Sequence, residues 1–128
     1  MDSDGWTGSD ARVAQGLASG DDAWRGHVEG ADLGTDVTVL FYQTDTPGKG
    51  PGWHVHPYDE VFIVRQGRAL FTIGAQKIEA VAGDVLFGPR DMPHKFHNLG
   101  PGRLETTDIH LSPRWIQTDL PDPEAERD

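Results

Sequence analysis

Residues 48–67 read GKGPGWHVHPYDEVFIVRQG, and this segment places two histidines, His54 and His56, just ahead of Glu60. The two histidines are two positions apart, so in a β-strand both imidazoles leave the same face. Pro57 favours an extended conformation at the residue before it and cannot donate to a strand ladder, which predicts a short break. Glu60 lies at the start of the next apolar segment, so its carboxylate can turn back toward the two imidazoles.

A second segment, residues 83–98, reads GDVLFGPRDMPHKFHN and adds a third imidazole, His94, after a proline-rich turn. Three imidazoles and one carboxylate can hold a divalent transition metal and leave coordination positions open. The alternative is a set of unrelated surface histidines and a surface glutamate. The regular glycine, proline and asparagine positions around the four residues favour a metal-centred pocket.

These two segments resemble the two sequence motifs of the cupin superfamily. The first segment fits its motif at every position, and the second departs from it once, where Asp91 replaces the usual glycine. Aspartate is among the few residues that tolerate the left-handed conformation, which a glycine often marks. The resemblance implies that His54, His56, Glu60 and His94 are the metal ligands.

The residues between and around the two segments are typical of short β-strands separated by turns. Strands are predicted at residues 35–42, 53–56, 61–65, 69–73, 78–80, 85–87, 95–98 and 104–111. Such a series predicts an all-β barrel or sandwich. The resemblance narrows this to a double-stranded β-helix, the jelly-roll barrel of the cupins.

The chain of 128 residues suits one domain. We expect an acidic N-terminal arm at residues 1–30 that is mobile or lies against a neighbouring subunit, and a weak helical turn at 11–17 is the less favoured alternative. The barrel is expected at residues 31–118, followed by an acidic, proline-containing tail at 119–128.

The formal net charge of −10 excludes a typical nucleic-acid binder and opposes docking to anionic lipid. No apolar run approaches the roughly 18 residues of a membrane-spanning helix, and the first residues do not resemble a secretory signal. The chain has no cysteine, which fits the cytoplasm. We therefore expect a cytoplasmic protein that binds neither nucleic acid nor membrane.

Strand alternation nominates further residues for the pocket wall. If His94 faces inward, Phe96 and Asn98 do so too, while Lys95 and His97 face outward. The candidates for the pocket are Phe62, Phe96, Asn98, Thr106, Asp108 and His110, with packing in the core or on the surface as the alternative. Trp24, Trp53 and Trp115 are interpreted as packing or subunit-contact residues, and His27 receives no role.

A metal held by these ligands predicts Lewis-acid or oxygen chemistry. Fe(II) or Mn(II) is the expected ion, and Zn, Ni or Cu remain open. The favoured function is a dioxygenase-like enzyme acting on a small enolisable or phenolic compound, with Glu60 as ligand or catalytic base. The alternatives are a non-redox isomerase or cyclase, and a binding or sensing protein without catalysis.

Two kinds of partner are expected: a small-molecule ligand or substrate, and a second copy of the chain. A small barrel leaves strand edges and an outer apolar face to cover, which favours a homodimer. Tyr42, Trp53 and the N-terminal arm are the candidate contacts.

Overall fold

The computed structural model describes residues 11–18 and 23–125, which form two β-sheets and one short helix. The elements in chain order are β1 (Gly26–Val28), α1 (Gly30–Leu33), β2 (Thr38–Thr44), β3 (His54–Val55), β4 (Glu60–Gln66), β5 (Arg68–Ile73), β6 (Gln76–Val81), β7 (Val85–Gly88), β8 (His94–Asn98), β9 (Leu104–His110) and β10 (Thr118–Asp119).

Each sheet contains five antiparallel strands. The strand order is β1-β2-β9-β4-β7 in the first sheet and β10-β3-β8-β5-β6 in the second. Neighbouring strands are often distant in sequence, because the chain passes from one sheet to the other several times. This architecture confirms the predicted all-β jelly-roll barrel.

The apolar core lies between the inward faces of the two sheets. Phe62 and Val64 of β4 are buried and Ile63 between them is half-buried, as the strand period requires. From the second sheet, Phe71 and Phe96 meet Phe62 with ring centroids 5.1 and 6.1 Å away. Each buried phenylalanine contributes about 1.5–3 kcal/mol of hydrophobic free energy. Glu60, at the start of β4, stands at the border of this core.

Strand β2 begins at Thr38, whereas the sequence predicted a strand that begins at residue 35. Residues 30–33 form a helical turn that ends at Gly34, whose φ of 75° is left-handed. The Thr38 hydroxyl then accepts from the Gly30 N–H at 3.0 Å and donates to the Ser112 carbonyl at 2.8 Å.

In the described part of the chain, no helix is long and apolar enough to cross a membrane.

The less favoured alternative for residues 11–17, a helical turn, is not what this segment forms. The chain there is extended, with a bridge between Leu17 and Gly26 and a hydrogen bond from the Ala18 N–H to the Arg25 carbonyl at 2.6 Å. Pairing with the strand satisfies backbone groups that an isolated helical turn, which is unstable in water, would leave exposed. Strand β1 also begins before residue 31, where the barrel was predicted to start. Residues 1–10 and 19–22 of the predicted arm lie outside the described residues.

Part of the predicted C-terminal tail lies against the second sheet. Strand β10 pairs with β3, and Lys95 Nζ contacts carboxylate oxygens of Asp122 at 2.6 Å and Glu124 at 2.9 Å. The sheet therefore extends one residue beyond the predicted boundary at 118. Residues 126–128 of the tail are outside the described residues.

Candidate metal centre

The three histidines and the glutamate that the sequence nominated come together between the two sheets. His54 of β3 and His94 of β8 are cross-strand partners in the second sheet, and His56 follows β3 directly. Glu60 reaches them from the first sheet. All four side chains are buried, and one ligand atom from each lies within 4.8 Å of the others.

The backbone fixes which nitrogen of each imidazole is available as a ligand. His54 Nδ1 lies 2.5 Å from the Gly52 carbonyl oxygen, and His56 Nδ1 lies 2.6 Å from the Ile116 carbonyl oxygen. His94 Nδ1 has a longer contact, 3.3 Å, with the carbonyl oxygen of Met92. Because a carbonyl only accepts, each Nδ1 carries a proton, which leaves Nε2 as the nitrogen that can offer a lone pair to a metal. Metal-binding histidines are commonly oriented in this way.

One carboxylate oxygen faces two of these lone pairs. Glu60 Oε1 lies 3.2 Å from His56 Nε2 and 3.1 Å from His94 Nε2. None of the three atoms has a hydrogen-bond partner, although all are buried. Two nitrogen lone pairs that face a carboxylate oxygen repel it unless a cation lies among them. The arrangement therefore fits a divalent transition metal held by His54, His56, Glu60 and His94.

Burial keeps the first histidine neutral. Desolvation lowers the pKa of His54 from 6.5 to about 4, although its hydrogen bond to the Gly52 carbonyl opposes the shift. The ring therefore offers a lone pair instead of a positive charge near neutral pH.

The other oxygen of the glutamate has a separate partner. Glu60 Oε2 lies 3.1 Å from Nε2 of His110, a buried residue of β9. His110 stands directly opposite Glu60 in the β4–β9 ladder. Burial would raise the pKa of Glu60, but the hydrogen bond from the His110 Nε2–H to Oε2 counters this effect, and the pKa lies well below its usual range. The carboxylate is therefore charged, with Oε1 toward the histidine ligands and Oε2 toward His110.

Tyr58 connects this pair to the backbone. Its hydroxyl lies 2.7 Å from His110 Nδ1 and 3.1 Å from both the nitrogen and the carbonyl oxygen of Ile116. Burial raises the pKa of Tyr58 to about 12, so the hydroxyl keeps its proton. Since His110 needs its Nε2 proton for Glu60, the tyrosine proton is assigned to His110 Nδ1. Tyr58 was not nominated from the sequence, although it continues the alternation of His54 and His56.

The departure from the cupin motif at Asp91 leaves the site intact. Asp91 has a φ of 63°, the left-handed conformation that was expected for this position. Its N–H donates to the His56 carbonyl oxygen at 2.9 Å. This hydrogen bond connects the turn before His94 to His56, another of the four proposed metal ligands.

Three of the four predicted ligands, His54, His56 and Glu60, border a cavity of about 370 Å³. Among the residues that were nominated for the pocket wall, Phe62, Phe96, Asp108 and His110 line this cavity. Asn98 is buried but bonds to the Gly102 carbonyl oxygen and the Gly100 N–H, so it holds a turn and does not line the cavity. Thr106 is also buried behind the wall, where its hydroxyl donates to Asp108 at 3.3 Å.

Other lining residues were missed or given a different role by the sequence. Tyr42, which the sequence offered as a candidate subunit contact, packs inward against Phe96, with ring centroids 5.6 Å apart, and lines the cavity. His27 and Trp115 line the cavity and pack edge to face, 5.0 Å apart. Arg25 lines it as well, with its guanidinium 5.1 Å from the Tyr42 ring. Strand β1 and the residue before it place His27 and Arg25 there, and the three residues of β1 gave no strand signal.

Comparisons with known proteins agree with this architecture. An uncharacterised protein of Streptomyces coelicolor is 39% identical over 64 residues, which cover 50% of this chain and 60% of that protein. The polyketide synthase CurC of Streptomyces cyaneus is 35% identical over 68 residues, which cover 52% of this chain and 44% of that protein. The chain thus spans less than two thirds of either relative.

Solved structures share the fold at low sequence identity. Oxalate decarboxylase of Bacillus subtilis superimposes with a TM-score of 0.69 at 20% identity, covering 84% of this chain and 30% of the enzyme. The formate complex of the Lactobacillus farciminis oxalate decarboxylase superimposes with a TM-score of 0.69 at 18% identity. The match covers 81% of this chain and 33% of that enzyme. At these identities the likeness extends to the fold alone.

The family model for the cupin domain matches residues 41–110, which contain the end of β2, all of β3 to β9 and all four proposed ligands. Sequence motifs, sheet topology and this match lead to one conclusion: the chain belongs to the cupin family.

Proposed function

We propose that this cupin is a metal-dependent enzyme that acts on a small enolisable or phenolic compound, with an oxygenase reaction as the favoured chemistry. One observation carries the proposal. Buried imidazole and carboxylate atoms without hydrogen-bond partners border a cavity large enough for a small organic molecule. When bound there, a divalent metal such as Fe(II) or Mn(II) supplies a Lewis acid with open coordination positions.

The walls of the cavity support a small, partly apolar substrate. Leu40, Phe62 and Phe96 supply apolar surface, and Tyr42 adds an aromatic face. Aromatic and aliphatic walls with few polar groups are typical of small-molecule sites. The ligand side chains themselves are buried, which strengthens the interaction of a substrate oxygen with any charge held there.

Glu60 is better placed as a ligand than as a base. Both of its oxygens face imidazole nitrogens, and its pKa is held low, which makes it a weak proton acceptor. His110 and Tyr58 keep the carboxylate in this orientation.

Oxygen uptake tests the oxygenase reaction. The metal-free protein is loaded anaerobically with Fe(II) or Mn(II), oxygen is admitted, and uptake is followed with diketones, catechols and flavonols. Uptake that depends on both metal and substrate supports the proposal. Absence of uptake and of product with each metal contradicts it.

A non-redox cyclase or isomerase is the second candidate, and the likeness to the polyketide synthase CurC favours it. Polyketide chains carry carbonyl groups on alternate carbons, and such compounds enolise readily. Product formation without oxygen identifies this reaction. Saturable binding in calorimetry, with the ligand recovered unchanged, instead identifies a binding protein.

A further inference from the structure

The cavity has a second end, where the edge of the first sheet supplies Arg25, His27 and Tyr42 to its wall. His27 of β1 stands opposite Leu40 of β2, and both residues line the cavity. Arg25 is two positions before His27, so its side chain leaves the same face of the chain. Arg25 and His27 are exposed, and the cavity therefore opens to solvent at this end.

Arg25 brings a positive charge to this opening that no carboxylate balances. It is the only lysine or arginine among the described residues that line the cavity. Within residues 11–18 and 23–125, no aspartate or glutamate forms an ion pair with it. The arginines that do have a carboxylate partner are Arg65, Arg68, Arg103 and Arg114.

Two contacts hold the guanidinium of Arg25 at the cavity wall. Its Nη2 donates to the carbonyl oxygen of Gln43 at 2.9 Å, and its central carbon lies 5.1 Å from the centre of the Tyr42 ring. The second distance is typical of a cation–π contact. The remaining N–H groups of the guanidinium are left for a ligand. A guanidinium presents them as a planar fork that matches the two oxygens of a carboxylate.

We propose that Arg25 binds the carboxylate of an anionic substrate at the open end of the cavity, while a phenolic or enolic oxygen of the same molecule lies at the metal ligands. The inference rests on the proposed function and narrows its substrate to a phenolic or enolic acid. The chain carries a net charge of −10 and repels anions as a whole, so an anionic substrate needs a local cation at the opening.

Arg25 and Glu60 are far enough apart for one aromatic acid to reach both ends of the cavity. The row of neighbours that begins at Arg25 runs over Tyr42 and Thr106 to Val64, four residues along β4 from Glu60. Strand spacings of about 4.8 Å and residue spacings of about 3.3 Å give about 20 Å between the two Cα atoms. Both side chains point inward and shorten this distance. An acid with its hydroxyl and its carboxylate at opposite ends of a ring has the required shape.

Two probes of nearly the same shape test the contact. One is 3-(4-hydroxyphenyl)propanoate, and the other is 3-(4-hydroxyphenyl)propanamide, in which a neutral amide replaces the carboxylate. Zinc-loaded protein, which performs no redox chemistry, is titrated with each by calorimetry. We expect the wild type to bind the acid roughly tenfold more tightly than the amide, with a difference that shrinks as salt is added. Equal affinities, tighter binding of the amide, or absence of acid binding overturns the proposal.

Three variants locate the charge that the acid contacts. Arg25→Gln should lower the affinity for the acid to that for the amide and leave the amide complex unchanged. Arg25→Lys should keep part of the preference, because it retains the charge without the planar fork. Lys77→Gln is the matched control: it removes one charge from β6, at the far edge of the second sheet, and should bind both probes as the wild type does.

Equal losses for both probes in Arg25→Gln, or the same loss for the acid in Lys77→Gln, overturns the proposal. The acid and amide affinities of the wild type serve as the test if Arg25→Gln fails to fold. Metal-dependent turnover of neutral phenols without any preference for the acid contradicts this inference alone. Acid binding that depends on Arg25, without conversion by any metal-loaded form, contradicts the proposed function alone.

Discussion

Glu60 and His110 face each other across the β4–β9 ladder, with 3.1 Å between Oε2 and Nε2. The other oxygen, Oε1, lies within 3.2 Å of the Nε2 atoms of His56 and His94. His110 thus occupies the oxygen that faces away from the histidine ligands and leaves Oε1 for a metal.

Glu60→Gln should weaken metal binding and leave the metal-free fold intact. The amide oxygen can accept from His110, and the NH₂ group can then donate to the lone pairs of His56 and His94. Removing a residue that only supports a metal ligand lowers metal affinity by roughly 10- to 100-fold. Because Glu60 is itself a ligand, we expect a loss of at least this size. The thermal midpoint of the metal-free variant should equal or exceed that of wild type.

The same variant separates the two roles of Glu60. If Glu60 is only a ligand, activity returns at saturating metal. If it is also the base, activity stays low because an amide cannot accept the proton. The geometry favours recovery.

His54→Ala and His94→Ala should each remove most of the bound metal. Each change deletes one ligand, and loss of the metal also removes the stabilisation that binding gives the folded state. Metal analysis by mass spectrometry and thermal unfolding with and without metal measure the two effects. His97→Ala is the matched control, because His97 is half-exposed on the outward face of β8. Wild-type metal stoichiometry in both ligand variants would rule out the assignment.

Tyr58→Phe should loosen the support of Glu60 while keeping the ring. Tyr58 stacks on His56 with centroids 5.0 Å apart, so the phenyl ring preserves this contact. The lost hydroxyl leaves His110 Nδ1 without its 2.7 Å partner, at a cost of about 1–3 kcal/mol in the free energy of unfolding. Metal affinity should drop by roughly tenfold. Denaturant unfolding of the metal-free protein and metal titration measure the two changes, and wild-type values in both would show that the hydroxyl has no role.

The metal-free protein should lose stability as the pH falls from about 6.5 to about 4. In this window the unfolded chain protonates His54, whereas the folded state, with its pKa lowered by burial to about 4, does not. More protons are then bound in the unfolded state, so stability rises with pH through the window and is complete above it. The contribution is at most roughly 3 kcal/mol. Urea unfolding across this range should show a shallower dependence for His54→Gln and the wild-type dependence for His97→Gln.

We expect the chain to form a homodimer through the outer face of the first sheet. Val39, Ile109, Val61 and Phe87 form one apolar row across this face, and Phe87 is 56% exposed. Neighbouring Val85 is 65% exposed, and an apolar patch of this kind is typical of an interaction surface. Light scattering at micromolar concentration measures the mass, and Phe87→Asp should shift it toward the monomer. A wild-type protein that is already monomeric there contradicts the expectation.

The sequence by itself determined the fold class and the four ligand candidates. Strand alternation is local, so it puts His54 and His56 on one face, and it separates the buried His94 and Phe96 from the half-exposed Lys95 and His97. The glycine, proline and asparagine positions predicted the turns. The resemblance to the cupin motifs indicated that residues 48–67 and 83–98 contribute to one metal site.

Only the tertiary structure decided which of the polar residues serve the site. His110 is 50 positions from Glu60, and it meets the carboxylate because β9 pairs with β4 in one particular register. Shifting that register by one residue would turn His110 and Asp108 away from the cavity. Arg25, His27 and Trp115 likewise reach the cavity through short edge segments whose own residues carry no periodicity. Strand pairing depends on packing between distant parts of the chain, and for this reason the neighbours of a ligand cannot be read from its local sequence.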